Sequence, residues 1–203
     1  MFENTTINEF TELLASPSSV PRGGGASALT GAVGIALADM VGELTVGKPR
    51  YKDVEEDLRV LMERAQDLRS RLLDLVEKDA EAFEPLSKAY SIPKDDPERD
   101  EILENCLKEA AKPPMEIFNI VCEALEITEE FGKKGSRLMV SDAATAAAHL
   151  RAALYGAAVN VKVNTRLMKD ASYRDEIDRK VDEGLKKYSA LADKIFDSIY
   201  ESF

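Results

Sequence analysis

The sequence predicts an all-α protein, a single-domain helical bundle with long central helices over residues 1–203. Apolar residues recur at three- and four-residue steps through almost every segment. Alternating, strand-like runs are absent, and an aromatic share of 6% with no Trp leans the composition toward helix. A chain of 203 residues, 44% hydrophobic and 32% charged, can bury a substantial core and has the make-up of a soluble globular domain.

Charge narrows the function. A net charge of −11 argues against a nucleic-acid binder, because phosphate neutralisation needs clustered Lys and Arg. It leaves room for an anionic small ligand wherever positive charge is local. Cys106 and Cys122 have neither metal-ligand spacing nor a secreted disulfide pattern, so both read as free thiols on helices. No leader-like segment follows Met1, and a cytoplasmic location is expected.

The elements follow in order. A short first helix is expected over residues 6–15, then a Ser/Pro loop at 16–21. Gly23, Gly24 and Gly25 open a small-residue helix running to about Val46. A long amphipathic helix is expected at 52–90, its stripe formed by Leu58, Leu61, Ala65, Leu68, Leu72, Leu75, Val76, Phe83 and Leu86. Pro93 and Pro97 break the chain, and residues 98–111 resume as helix. Pro113-Pro114 start or kink the next helix at 115–131, ahead of a basic loop from Gly132 to Arg137. A helix at 142–168 has Ser141 as its expected N-cap, and a charged helix at 173–200 ends the chain.

The helix after the glycines has the length and apolarity of a membrane span. Asp39 and Glu43 inside it argue otherwise. Gly34, Ala38 and Gly42, at four-residue steps, instead make a smooth groove for a neighbouring backbone. Free N–H groups at its glycine end can receive an anion or a ligand carbonyl, or simply make a turn.

Beyond these patterns, Pro21-Arg22-Gly23-Gly24-Gly25 and Leu44-Thr45-Val46-Gly47-Lys48-Pro49-Arg50-Tyr51 resemble the opening of the formiminotetrahydrofolate cyclodeaminase and methenyltetrahydrofolate cyclohydrolase family. Lys78-Asp79-Ala80-Glu81-Ala82-Phe83, Val140-Ser141-Asp142 and Ala158-Val159-Asn160-Val161-Lys162-Val163-Asn164 match later motifs of that family in order. The resemblance runs from about Asn8 to about Asp170. It implies an all-helical homodimer acting on a one-carbon unit carried by tetrahydrofolate, with no metal or nucleotide cofactor and no membrane. It makes Asp79 the catalytic candidate, and Gly23, Gly24, Gly25, Ser27, Tyr51, Ser141, Asp142, Asn160 and Asn164 candidates for substrate binding. Two positions depart from the family pattern: Arg22 separates the proline from the glycines, and Gly135-Ser136 stands where Gly-Asn is usual.

The residues themselves bear on the chemistry. Asp79 falls four residues after Leu75 and four before Phe83, on the apolar stripe, while Lys78 and Glu81 point elsewhere. Burial there would raise its pKa toward the range of a useful general base; the alternative is an acid at the stripe's edge paired with a lysine or a backbone group. Hydrolysis of a methenyl group requires a base for water, tolerance of a cationic ground state and a proton for the departing nitrogen. Asp79 suits the first two needs. Lys48 is the candidate for stabilising oxygen charge or delivering the proton, or else a lysine answering a helix C-terminus.

Asp142, His149, Asn160 and Asn164 fall within about 40° of one helix face, opposite Arg151 and Lys162. Asp142 and Asn160 are about 27 Å apart along that helix and cannot hold the same end of a small molecule. His149, the sole histidine, reads as structural. Arg50, Lys52, Lys133, Lys134 and Arg137 supply positive charge suited to a folate glutamate tail, or to a solvated surface. Methenyltetrahydrofolate cyclohydrolase is the leading expectation. Formiminotetrahydrofolate cyclodeaminase and a non-catalytic folate-binding dimer are the alternatives.

Overall fold

Residues 23–43 form the axis of the molecule because they are apolar and small on nearly every side, a pattern suited to helices that are covered all round. The computed structural model describes Phe2 and residues 4–203. Its helices are α1 (Ile7–Leu14), α2 (Gly23–Glu43), α3 (Glu55–Ala89), α4 (Arg99–Lys134), α5 (Val140–Thr165) and α6 (Ala171–Tyr200), with a short 3-10 segment, Pro49–Val54, ahead of α3. There is no strand among the described residues.

The α2 helix packs against α3, α4 and α5. Side-chain neighbours give the directions: Gly25 lies by Val76 and Gly42 by Met62, so α3 is antiparallel to α2. Gly34 lies against Leu150, and Gly156 against Ser27, so α5 is antiparallel as well. Gly31 meets Val121 and Gly42 meets Phe131, so α4 runs parallel to α2. The α6 helix closes the bundle over α4 and α5. The expected groove exists: a Cβ on Gly34 would stand 2.8 Å from Leu150 Cγ, closer than packed carbons approach.

Two apolar clusters result. The larger joins Ile35, Leu58, Leu72, Val121, Leu125, Phe131, Leu150 and Ile195 along the bundle. A smaller one gathers Leu86, Leu107, Ala110, Ala111 and Met168 where α3, α4 and the end of α5 converge, with Phe83 and Tyr173 packed on it. Helix α1 is held by a capping box, in which Thr6 Oγ1 accepts from the Glu9 amide and Glu9 accepts from the Thr6 amide.

The structure corrects three boundaries. The expected helices at 98–111 and 115–131 are a single helix, α4, which passes through Pro113 and Pro114. Pro114 has no N–H to give the Ala110 carbonyl, its partner four residues back; the Asn164 side-chain amide donates there instead, at 3.1 Å. The carbonyl four residues before Pro113 belongs to Glu109, an exposed residue. The basic loop is correspondingly shorter, since α4 extends to Lys134. Ser141 is not an N-cap: α5 starts at Val140 after Met139 without a side-chain cap, and the Ser141 carbonyl accepts from Thr145 inside the helix.

Candidate active site

The candidate site forms where the amino end of α2 meets α3 and α5. Arg22, the N-cap residue of α2, supplies no side-chain cap, so the first amides of the helix need another acceptor. Asp79 provides it from α3: its Oδ2 accepts from the Gly25 amide at 2.9 Å. The carboxylate sits so close to α2 that a Cβ on Gly24 would lie 2.1 Å from Asp79 Oδ1. Glycine at position 24 is therefore a spatial requirement of the acid. Burial pushes the Asp79 carboxyl up from its ordinary range, and the Gly25 amide offsets part of that rise.

Asp79 faces a cavity of about 930 Å³ between α2, α3 and the end of α5. Gly23, Asn160 and Asn164 line it too, as do Arg22, Phe83 and Arg166. Its floor includes Leu86 and Ala110 of the smaller apolar cluster.

The two asparagines are oriented by the backbone. Asn160 Nδ2 donates to the Gly156 carbonyl at 2.8 Å, and Asn164 Nδ2 donates to Ala110 and Asn160 carbonyls at 3.1 and 3.0 Å. Only an NH₂ group can meet a carbonyl, so each amide oxygen is turned away as a free acceptor. With Asp79 they line the cavity with acceptors suited to a heterocycle rich in N–H groups.

The other candidates lie elsewhere. Lys48 follows α2 at its far end; with 21 residues in α2, that is about 30 Å from Asp79 within one chain. The antiparallel packing of α2 on α3 places the acid beside the start of α2 and the lysine beyond its end, so the two do not form one site in a single chain. Lys48 Nζ makes a long contact, 3.5 Å, to Ser136 Oγ, and the Ser136 amide donates to Thr45 Oγ1 at 2.8 Å. Tyr51 joins this second group: the Arg137 amide donates to its hydroxyl at 3.2 Å and, with Ser136, holds the phenol below its ordinary range.

Ser141 and Asp142 belong to that distant end, in the turns that follow Ser136. Ser27 is buried, donates to the Gly23 carbonyl at 2.6 Å and fills the space beside Gly156, so it packs helices and does not line the cavity. His149 Nδ1 lies 2.9 Å from the Thr145 carbonyl, a local helix contact consistent with a structural histidine. Lys133 and Lys134 are paired with Glu129, Glu130 and Asp57, which favours the solvated-surface reading for both. Sequence reasoning noted Arg22 only as a departure and missed Arg166. Neither carries a periodicity signal, because both stand at helix ends.

Cys106 and Cys122 are free, and burial pushes the Cys122 thiol up to about 12, which keeps it protonated. It lines a separate depression of about 720 Å³ between α3, α4 and α6 that contains no residue of either candidate group.

An all-helical domain whose half-buried carboxylate caps a glycine-rich helix at the wall of a ligand-sized cavity defines a class, that of small-molecule enzymes built in a helical bundle. Comparison with known proteins makes it particular. Residues 6–183 match the family described as formiminotransferase-cyclodeaminase, and the chain belongs to that family. It is 34% identical over 203 residues to a methenyltetrahydrofolate cyclohydrolase of Methylorubrum extorquens, covering 98% of both chains. It is 28% identical to a pig formimidoyltransferase-cyclodeaminase, covering 95% of this chain but 36% of that longer protein. Among solved structures it superposes on a formiminotetrahydrofolate cyclodeaminase of Thermotoga maritima with a TM-score of 0.84 at 29% identity, covering 99% of this chain and 96% of that one.

Proposed function

We propose that the protein is a methenyltetrahydrofolate cyclohydrolase whose reaction is carried by Asp79. The observation behind this reading is the address of that carboxylate. It is half-buried, raised in pKa, held by the Gly25 amide and placed on a cavity lined by two acceptor amides. Similarity to a full-length relative bearing that name supports the choice of reaction.

In this reading Asn160 and Asn164 accept hydrogen bonds from the pterin, and the anionic Asp79 stabilises the methenyl cation. Water attacks the amidinium carbon as Asp79 takes one of its protons, forming a C–O bond and a tetrahedral adduct. One C–N bond of the adduct then breaks as the adduct's hydroxyl releases its proton to solvent and becomes the formyl C=O. The departing nitrogen takes up a proton from Asp79 or an acid beside it, leaving the formyl group on the other nitrogen. No redox step and no cofactor are needed.

The same reading makes the protein a homodimer. Val33 and Met40 of α2, Leu44 at its C-cap, and Val159 and Val163 of α5 are exposed apolar side chains. A second copy docked antiparallel along α2 buries them and brings Lys48 of that copy toward Asp79. Lys48 then supplies charge or a proton at the reacting carbon, across the interface.

Loss of the methenyl chromophore on addition of purified protein tests the activity; inertness toward methenyltetrahydrofolate would reject it. The structural match to a cyclodeaminase favours a second reading, ring closure of formiminotetrahydrofolate with release of ammonia. Appearance of the chromophore from that substrate identifies it. A non-catalytic binding protein would bind a folate and turn over neither.

A further inference from the structure

The cavity has a feature that the catalytic reading leaves unused. The chain carries 38 acidic and 27 basic residues, and many of its surface cations are held in ion pairs. Arg22 and Arg166 both line the cavity, and neither makes an ion pair among the described residues.

Arg22 is also held in place. Its Nε donates to the Ser19 carbonyl at 2.6 Å, and its guanidinium lies 4.4 Å from the centroid of the Phe83 ring. Those two contacts fix the plane of the fork and leave its terminal N–H groups unspent. Arg166 follows the last turn of α5 as its C-cap residue, next to the acceptor face formed by Asn160 and Asn164.

The geometry points to Arg22 and Arg166 as the carboxylate receptor of this cavity, which selects ligands that carry a glutamyl tail over the same heterocycle without one. The inference rests on the folate reading above. It follows from the chemistry of the two ends of such a ligand. The heterocycle presents N–H donors, which the acceptors at Asn160 and Asn164 satisfy. The tail presents carboxylates, for which a guanidinium offers two parallel charge-assisted bonds. A single lysine-like point charge would do neither as selectively.

The test compares methenyltetrahydrofolate with methenyltetrahydropteroate, which lacks the glutamate, on the full chain. Arg22→Gln/Arg166→Gln should raise KM for the glutamyl substrate about tenfold or more and move KM for the truncated one less than about threefold. Arg22→Lys should recover only part of the difference, since it restores charge without the fork. An equal rise for both substrates, or no rise, overturns the assignment. So does a selective loss in Arg50→Gln/Arg137→Gln that the cavity variants do not show. Binding of 5-formyltetrahydrofolate and its glutamate-free analogue, followed by fluorescence, reads the same discrimination without turnover. Wild-type protein that binds with this discrimination but does not open the methenyl ring rejects the proposed activity and leaves the receptor standing.

Discussion

Asp79 Oδ2 and the Gly25 amide, 54 residues apart in sequence, meet at 2.9 Å, so the acid assigned to the proposed mechanism is also the cap of the central helix. One side chain thus completes α2 and faces the cavity. The two duties separate under substitution, because a neutral amide can cap a helix but cannot act as a base.

Asp79→Asn should therefore lower kcat by roughly 10²- to 10⁴-fold while leaving folate binding and the fold in place. Asp79→Ala should lose activity and also stability, by about 1–3 kcal/mol, because the Gly25 amide is left without its acceptor. Stopped-flow turnover and chemical denaturation of the pair check both statements. Full activity in Asp79→Asn would remove the acid from the mechanism.

The pH response follows from the direction of the shift. Burial raises the Asp79 carboxyl above the ordinary 3.8, so the folded state holds its proton more tightly than the unfolded chain does. Charged Asp79 therefore costs stability above its raised pKa, and that cost disappears as pH falls through it. Asp79→Asn should be the more stable protein at neutral pH, with the gap closing in acid. The acid limb of kcat/KM should lie above the ordinary carboxylate range. Thermal melts and rate profiles across the acid range test this.

Gly24→Ala places a methyl carbon where Asp79 Oδ1 now lies, 2.1 Å away. Alanine is normally favoured over glycine inside a helix by about 1 kcal/mol, yet here the substitution should destabilise and inactivate. Adding Asp79→Ala to it should cost less than the two single changes combined. A double-mutant cycle measures that coupling, and strict additivity would mean the two residues do not touch.

Asn164→Leu should destabilise by about 1–3 kcal/mol, because it removes the side-chain donor to the carbonyl that Pro114 leaves unpaired. Adding Pro114→Ala to the same chain should return part of that loss, since alanine at this position supplies its own N–H. Denaturation midpoints of the two variants decide it.

Much of the fold was readable because helical periodicity is strong where one face is buried, as in α3, with Leu58, Leu72 and Leu86 at zero or near-zero exposure. The unusual address of Asp79 was readable for the same reason, since an acid on an apolar stripe interrupts a regular signal, while its candidacy as the catalytic residue came from the family resemblance. Continuity through Pro113 and Pro114 was not, because the compensating donor, Asn164, comes from about 50 residues further on. The separation of Lys48 from Asp79 was hidden likewise. Motif order along the chain says nothing about which end of an antiparallel pair each motif occupies.

The homodimer proposed above gives a complementation test. Asp79→Asn and Lys48→Met are each expected to be inactive, but their mixture should regain roughly a quarter of wild-type activity, because half the dimers are hybrid and each hybrid has one intact site. No recovery after exchange of subunits, verified by mass, would place Lys48 outside the reaction.

The contact between position 24 and position 79 also limits how this sequence can diverge. A side chain at 24 becomes tolerable only after the acid at 79 has gone, and an acid returning to 79 finds no room unless glycine is already there. In descendants of this chain the glycine becomes a marker: under the proposed mechanism it is expected to persist wherever the acid is kept, and its loss is expected only where the acid has already been given up.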